Sequence, residues 1–420
     1  MSRPLRRAVV LLLAAACSRS TSSPPPGTAG ALDAPEPPAA RNSGAQTATR
    51  VTPPPGVRPV RPRPDRCLPR DPFAAPGTLI EEGQRALDAG LGDRALDCAE
   101  EAIRLAPRLV AGLAVRADAL VALGRLDEAR LSYARALSID PDHPLALLGA
   151  ADLYVRRLSD ERDALETGLE YALRGARSAL RPPYRDRELA AELQLMAGIA
   201  ENDLGKNRAA LSHLDRALSV LPDDPDVVYE RGVSLFELCR FDEARRTFQR
   251  ALALSPDDPW TLHQLGLLAE RRGDARGAEQ FLGKAQRLDP KTFAPDLPVD
   301  ERAFRAEVEQ AVAQLSPEDR QALVGIPIEI RDLPDTTDLL AVDPPLSPAI
   351  LGLYRGPPQD EPCEARDGPR CRSIVFYRKN LIRFAHDRAA LDQQVKITLL
   401  HELGHLHGED DDQLRDRGLE

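Results

Sequence analysis

The sequence predicts a mainly α protein, a solenoid of paired helices running into a small α+β domain, behind an N-terminal stretch that builds no core. Three observations carry this. Prolines recur at 34-residue steps, from Pro107 to Pro141 and then from Pro222 to Pro256 to Pro290, the spacing of a stacked helix-pair unit. Further on, Ile326, Ile328 and Ile330 alternate with Pro327 and Glu329, and Ile374 and Phe376 with Val375 and Tyr377, the period of strands. Leu391, Val395, Leu399 and Leu403 then return at four-residue spacing, one stripe of a helix. A chain of 420 residues has room for two domains. With aromatics at only 4%, its core has to rest on Leu, Ala and Val. The formal net charge of -10 argues against nucleic acid as a partner.

Residues 1–17 read as a signal peptide. Arg3, Arg6 and Arg7 form a basic start, Ala8 to Ala16 an apolar run too short to span a bilayer, and small residues precede Cys17. This ending resembles a bacterial lipoprotein lipobox, with Ala14 departing from the usual leucine. The resemblance implies a lipidated Cys17, a membrane anchor and a place in the cell envelope or periplasm. A conventional cleaved signal peptide would leave the protein soluble in the same compartment. Residues 18–76 are rich in Pro, Ala, Ser and Thr and cannot bury a core, so a disordered, semi-extended linker is expected.

From 77 to 293 small residues keep the phase of the prolines: Gly83, Ala95 and Ala102 in the first unit, Gly232, Ala244 and Ala251 in the fifth. Small side chains at those points let two antiparallel helices approach, and the proline ends the second. The pattern resembles the tetratricopeptide repeat, with Leu123-Gly124-Arg125-Leu126-Asp127-Glu128-Ala129 at one turn. It implies about six repeats, the third lengthened or irregular, and a concave groove for a peptide or protein partner. By the same resemblance, Tyr229, Phe236, Trp260 and His263 fall at groove positions of the last two repeats and would form an apolar peptide-binding patch. The other reading of these four is packing between repeats.

The stretch that organises the chain lies near its end: His401-Glu402-Leu403-Gly404-His405, then Gly408 and Asp411. Asp387 is placed to cap a helix through this segment. On a helix, His401 and His405 lie one turn apart on one face, so two imidazoles converge on one small ion. Glu402 projects beside that ion, placed to take a proton from water and hand it to a leaving amine. Gly408 lets the chain turn back so that Asp411 can serve as third ligand. Asp410 and Asp412 are alternatives one residue away, and His407 reads as solvated or outside the ligand set.

Residues 300–420 resemble the small bacterial zincin-like metallopeptidase family, which carries HExxHxxGxxD near the C-terminus. Besides the motif, Leu315-Ser316-Pro317-Glu318, Ile326 to Ile330, Ile350 to Gly356, Ile374 to Arg378 and Thr398-Leu399-Leu400 follow its order and spacing. The resemblance implies a minimal zincin fold, zinc on His401, His405 and Asp411, and Glu402 as base. It further implies that a strand beside the active helix pairs with the substrate backbone. The later strand is the candidate, with Tyr377 or Arg378 near the oxyanion. A departure is the insert between Pro357 and Arg372, which holds Cys363 and Cys371; in an exported chain these read as a loop disulfide rather than a metal pair. Cys67 and Cys98 are open to pairing, and Cys239 reads as a buried thiol.

The expectation is an exported zinc metallopeptidase whose repeats dock substrate or partner. The alternative is a tetratricopeptide scaffold or assembly lipoprotein with a structural or inactive metal site.

Overall fold

The repeat prolines sit where one helix has to stop and the next has to start. The computed structural model describes residues 67, 75–159, 161–363 and 371–419; the expected leader with Cys17, and most of the expected linker, lie outside the described residues. Six helix pairs follow one another: α1 (Pro76–Asp88) with α2 (Gly92–Leu105), α3 (Val110–Ala122) with α4 (Leu126–Ile139), α5 (Pro144–Arg156) with α6 (Arg162–Ala179), α7 (Arg187–Asp203) with α8 (Asn207–Val220), α9 (Pro225–Glu237) with α10 (Phe241–Leu254), and α11 (Pro259–Arg271) with α12 (Ala275–Leu288). Pro141, Pro222 and Pro256 lie in the turns after α4, α8 and α10. Three residues later Pro144, Pro225 and Pro259 open the next helix, and His143, Asp224 and Asp258 cap it. The third pair is the irregular one, its second helix being 18 residues long where the other five second helices have 14.

Within a pair the phased small residues form the seam. Ala95, Ala102, Ala129, Ala136, Ala244 and Ala251 are fully or almost fully buried. At Gly232 an added Cβ would lie 2.5 Å from the Phe248 ring of α10, so the close crossing of α9 and α10 requires glycine. The first helices α1, α3, α5, α7 and α9 also touch in succession, which lines them up along one face of the array. No helix among the described residues is long and apolar enough to cross a membrane.

The C-terminal domain begins with α13 (Glu301–Gln314) and α14 (Pro317–Ala322) and continues through β1 (Ile328–Arg331), α15 (Thr336–Leu339), β2 (Gly352–Arg355), β3 (Ser373–Tyr377), α16 (Arg378–Phe384), α17 (Arg388–Leu406) and α18 (Asp411–Asp416). Its sheet has the order β1-β3-β2, with β1 parallel to β3 (Ile328 opposite Ile374) and β2 antiparallel to it (Gly352 opposite Phe376). One face carries Ile374 and Phe376 into a core shared with Phe304 and Val308 of α13 and with Leu391, Val395, Leu399 and Leu403 of α17. The leucine stripe read from the sequence is therefore the inner side of the helix that bears the histidines.

The domain docks on the turns and helix ends of the last three repeats. Glu270 of α11 pairs with Lys379 (2.7 Å) and Arg383 (2.6 Å) of α16. Arg271 donates to the Pro334 carbonyl at 2.9 Å, and Arg208, at the start of α8, pairs with Asp343.

Candidate metal centre

Asp387 caps α17 by accepting the Ala390 N–H at 2.8 Å. The helix runs 19 residues and ends at Leu406. Near that end the Nε2 atoms of His401 and His405 face each other at 3.1 Å. Beyond Gly408, whose φ of 86° is left-handed, the Glu409 N–H bonds back to the Gly404 carbonyl and the chain re-enters a helix capped by Asp410. Asp411, the first residue of α18, thereby comes within 3.6 Å of His401 Nε2 and 3.3 Å of His405 Nε2. The three donor atoms make a triangle close to the edge of about 3.3 Å that tetrahedral zinc with ~2.0–2.1 Å bonds would span. Among the described residues this trio is the group of His, Cys, Asp and Glu side chains close enough together to hold a metal.

The rings are oriented from behind. His401 Nδ1 donates to the Leu419 carbonyl at 2.7 Å, and His405 Nδ1 donates to the Glu409 carbonyl at 3.0 Å. Proton on Nδ1 leaves each Nε2 with its lone pair toward Asp411, the tautomer a metal ligand needs. Two lone pairs and a carboxylate oxygen aimed at one point favour a cation there. The same convergence favours the imidazolium form, raising the pKa of His405 chiefly through the hydrogen bond that a protonated Nε2 gives to Asp411, and it holds the Asp411 carboxyl below its usual range. The donor set fits zinc.

Glu402 is buried, 5% exposed, with its carboxylate accepting the Tyr354 N–H of β2. Burial pushes its pKa up to about 7, against the opposing pull of His405. Strand β2 reaches this close because position 352 is glycine: a Cβ there would lie 2.6 Å from Glu402 Oε1. The neighbouring acids are otherwise engaged, Asp410 in its cap and Asp412 in a 2.6 Å pair with Arg415. His407 turns to Asp319 at 3.8 Å.

The sheet order corrects the choice of strand. β3 lies in the middle, bonded on both sides, while β2 is the edge strand beside Glu402. Tyr377 is buried against Asp338, and Arg378 is held by Asp332 and the Val299 carbonyl. Alternation reveals a strand but not its neighbours, so the sequence left β2 unread as the wall of the site.

The four groove residues are packed rather than displayed. Tyr229 (6% exposed) packs at a tilt against Phe248 at 5.7 Å, and Phe236 (5%) and Trp260 (6%) pack edge-to-face against Phe241 and Phe293. His263 also lies on Phe293, and burial together with Arg383 lowers its pKa to about 4. A chain with few aromatics spends these inside its fifth repeat, between α9 and α10, and between α11 and the segment that follows the sixth. Cys363 is paired with Cys371, Cys67 with Cys98, and Cys239 is a free thiol.

Residues 323–419 match the family model described as zincin-like metallopeptidase. The C-terminal domain is a zincin-like metallopeptidase domain. Residues 117–156 and 195–259 match models of the tetratricopeptide repeat, so the array in front of the zincin-like domain is a tetratricopeptide array. Solved structures similar to this chain include YrrB, described as a tetratricopeptide protein with an unusual peptide-binding site (20% identity, 47% of this chain and 94% of that one, TM-score 0.36). Others are PilW, a type IV pilus biogenesis factor (19%, 55% and 97%, TM-score 0.45), and pilF of Pseudomonas aeruginosa (17%, 56% and 97%, TM-score 0.44). No curated protein matches this chain. A zincin-like domain joined to tetratricopeptide repeats supports a peptidase-family and protein-interaction role.

Proposed function

We propose that the protein is an exported zinc metallopeptidase that hydrolyses peptide bonds, with the tetratricopeptide array docking its substrate or a protein partner. The observation that supports this most is the convergence of His401, His405 and Asp411 beside a buried Glu402. In this reading His401, His405 and Asp411 hold the ion. Zinc bound there supplies Lewis acidity, polarising a carbonyl and making water a stronger acid. Glu402 takes the proton from the attacking water and delivers it to the departing amine as the C–N bond breaks. The edge strand β2 would align an extended peptide beside that carboxylate. Export, lipidation of Cys17 and a membrane anchor belong to the same proposal and rest on the sequence of residues 1–17.

Zinc content and peptide hydrolysis of the chain from residue 18 onward test it. Near-stoichiometric zinc is expected, strongly reduced in Asp411→Ala. Glu402→Gln should keep its zinc and lose roughly 10²–10⁴-fold in turnover. Zinc retention with no effect of Glu402→Gln on any cleavage would favour the scaffold alternative, and absence of zinc after metal is added back would remove the peptidase reading.

A further inference from the structure

We propose that residues 409–419 are a clasp that presets the metal centre, with the last turn orienting His401 through the carbonyl of Leu419. This rests on the zinc reading of the site. Both imidazoles take their backbone partner from this one segment, Glu409 for His405 and Leu419 for His401, and the same segment carries Asp411. The path is defined by local bonds. After α18 the Gly418 N–H bonds to the Arg415 carbonyl, and the Leu419 N–H to the Leu414 carbonyl at 3.0 Å. These bonds turn the chain, with φ of 72° at Gly418, back toward a histidine 18 positions earlier in sequence.

The clasp seats on α17 through one side chain. Leu414 is the buried residue of α18 and lies where a Cβ on residue 404 would be, 2.2 Å from its Cδ2. That contact gives the glycine inside His401-Glu402-Leu403-Gly404-His405 a physical reason. An ion pair between Arg417 and Glu409 ties the two ends of the segment together. Because the Leu419 carbonyl holds the Nδ1 proton of His401, its removal frees the ring to rotate and to change tautomer. Loss of such an orienting partner typically weakens metal binding 10–100-fold.

The test compares the full chain with a variant lacking residues 417–420 and with Leu414→Ala, which keeps every ligand and carbonyl and removes only the seat. Zinc affinity is read by chelator competition, and the imidazole Nδ1 protons by ¹H–¹⁵N spectra of histidine-labelled protein. The clasp requires that deletion remove the slowly exchanging Nδ1 proton of His401, retain that of His405, and raise the zinc Kd 10–100-fold. Leu414→Ala should raise the Kd several-fold. Unchanged Kd and an unchanged His401 proton in both variants would overturn the clasp while leaving the zinc reading intact. Failure of the unmodified chain to bind zinc would overturn both.

Discussion

Gly352 is where the edge strand comes closest to the helix that carries the histidines. An alanine there would place its Cβ 2.5 Å from Thr398 Cγ2 and 2.6 Å from the Glu402 carboxylate. Neither neighbour can retreat cheaply, since both are buried in the joint between β2 and α17. Gly352→Ala is therefore expected to cost about 1–3 kcal/mol in stability, the range for overpacking a tight joint. Because the metal donors lie elsewhere on α17 and α18, zinc content should stay unchanged while hydrolysis falls. Denaturant melts and metal analysis of the same preparation separate the two effects. Equal loss of zinc and stability would mean that β2 supports the ligands rather than Glu402.

Among the elements, α3 and α4 contain an unneutralised acid. Asp118 of α3 accepts a hydrogen bond from Tyr133 of α4, and burial, with Asp152 of α5 nearby, raises its pKa to about 6. Below about pH 4 both folded and unfolded chains keep this proton. Between about pH 4 and 6 only the folded chain does, so stability falls as pH rises through that window and stays lower above it. Asp118→Asn, which still accepts from the tyrosine, should raise Tm by a few degrees at pH 7 and much less at pH 4. Thermal melts at the two pH values check the sign. At this scale the helices were largely legible. Prolines 34 residues apart and small residues in phase mark each pair, because a close crossing tolerates little else. The helix that bears the histidines was equally legible from its leucine stripe and cap. Sheet order was not, since it depends on which strands meet in space, and so the four-residue β2 went unassigned beside the site it walls. Tyr229, Phe236 and Trp260 were ambiguous for a related reason: a groove position and a seam position occur on the same helix, and only the packing of Phe248, Phe241 and Phe293 distinguishes them.

For the whole molecule, the joint between array and zincin-like domain rests on few groups. Glu270 alone pairs with both Lys379 and Arg383, all three being mostly buried. Glu270→Ala would take the array's acid away from both cations, leaving Arg383 with Asp296 at 3.3 Å and Lys379 with Asp332 at 4.0 Å, at a cost of roughly 1–3 kcal/mol for pairs partly open to water. The cost falls on the joint, so calorimetry should show one thermal transition becoming two, with zinc content preserved. A single transition at the original temperature would mean that the ion pairs do not couple the domains. The link between Cys67 and Cys98 acts at the opposite end of the array. Tension applied anywhere upstream of Cys67 enters the array at Cys98 in the middle of α2 and bypasses α1, which lies inside the closed loop. The first helix carries no load while the bridge is intact, and under reducing conditions it becomes the first part to be peeled away.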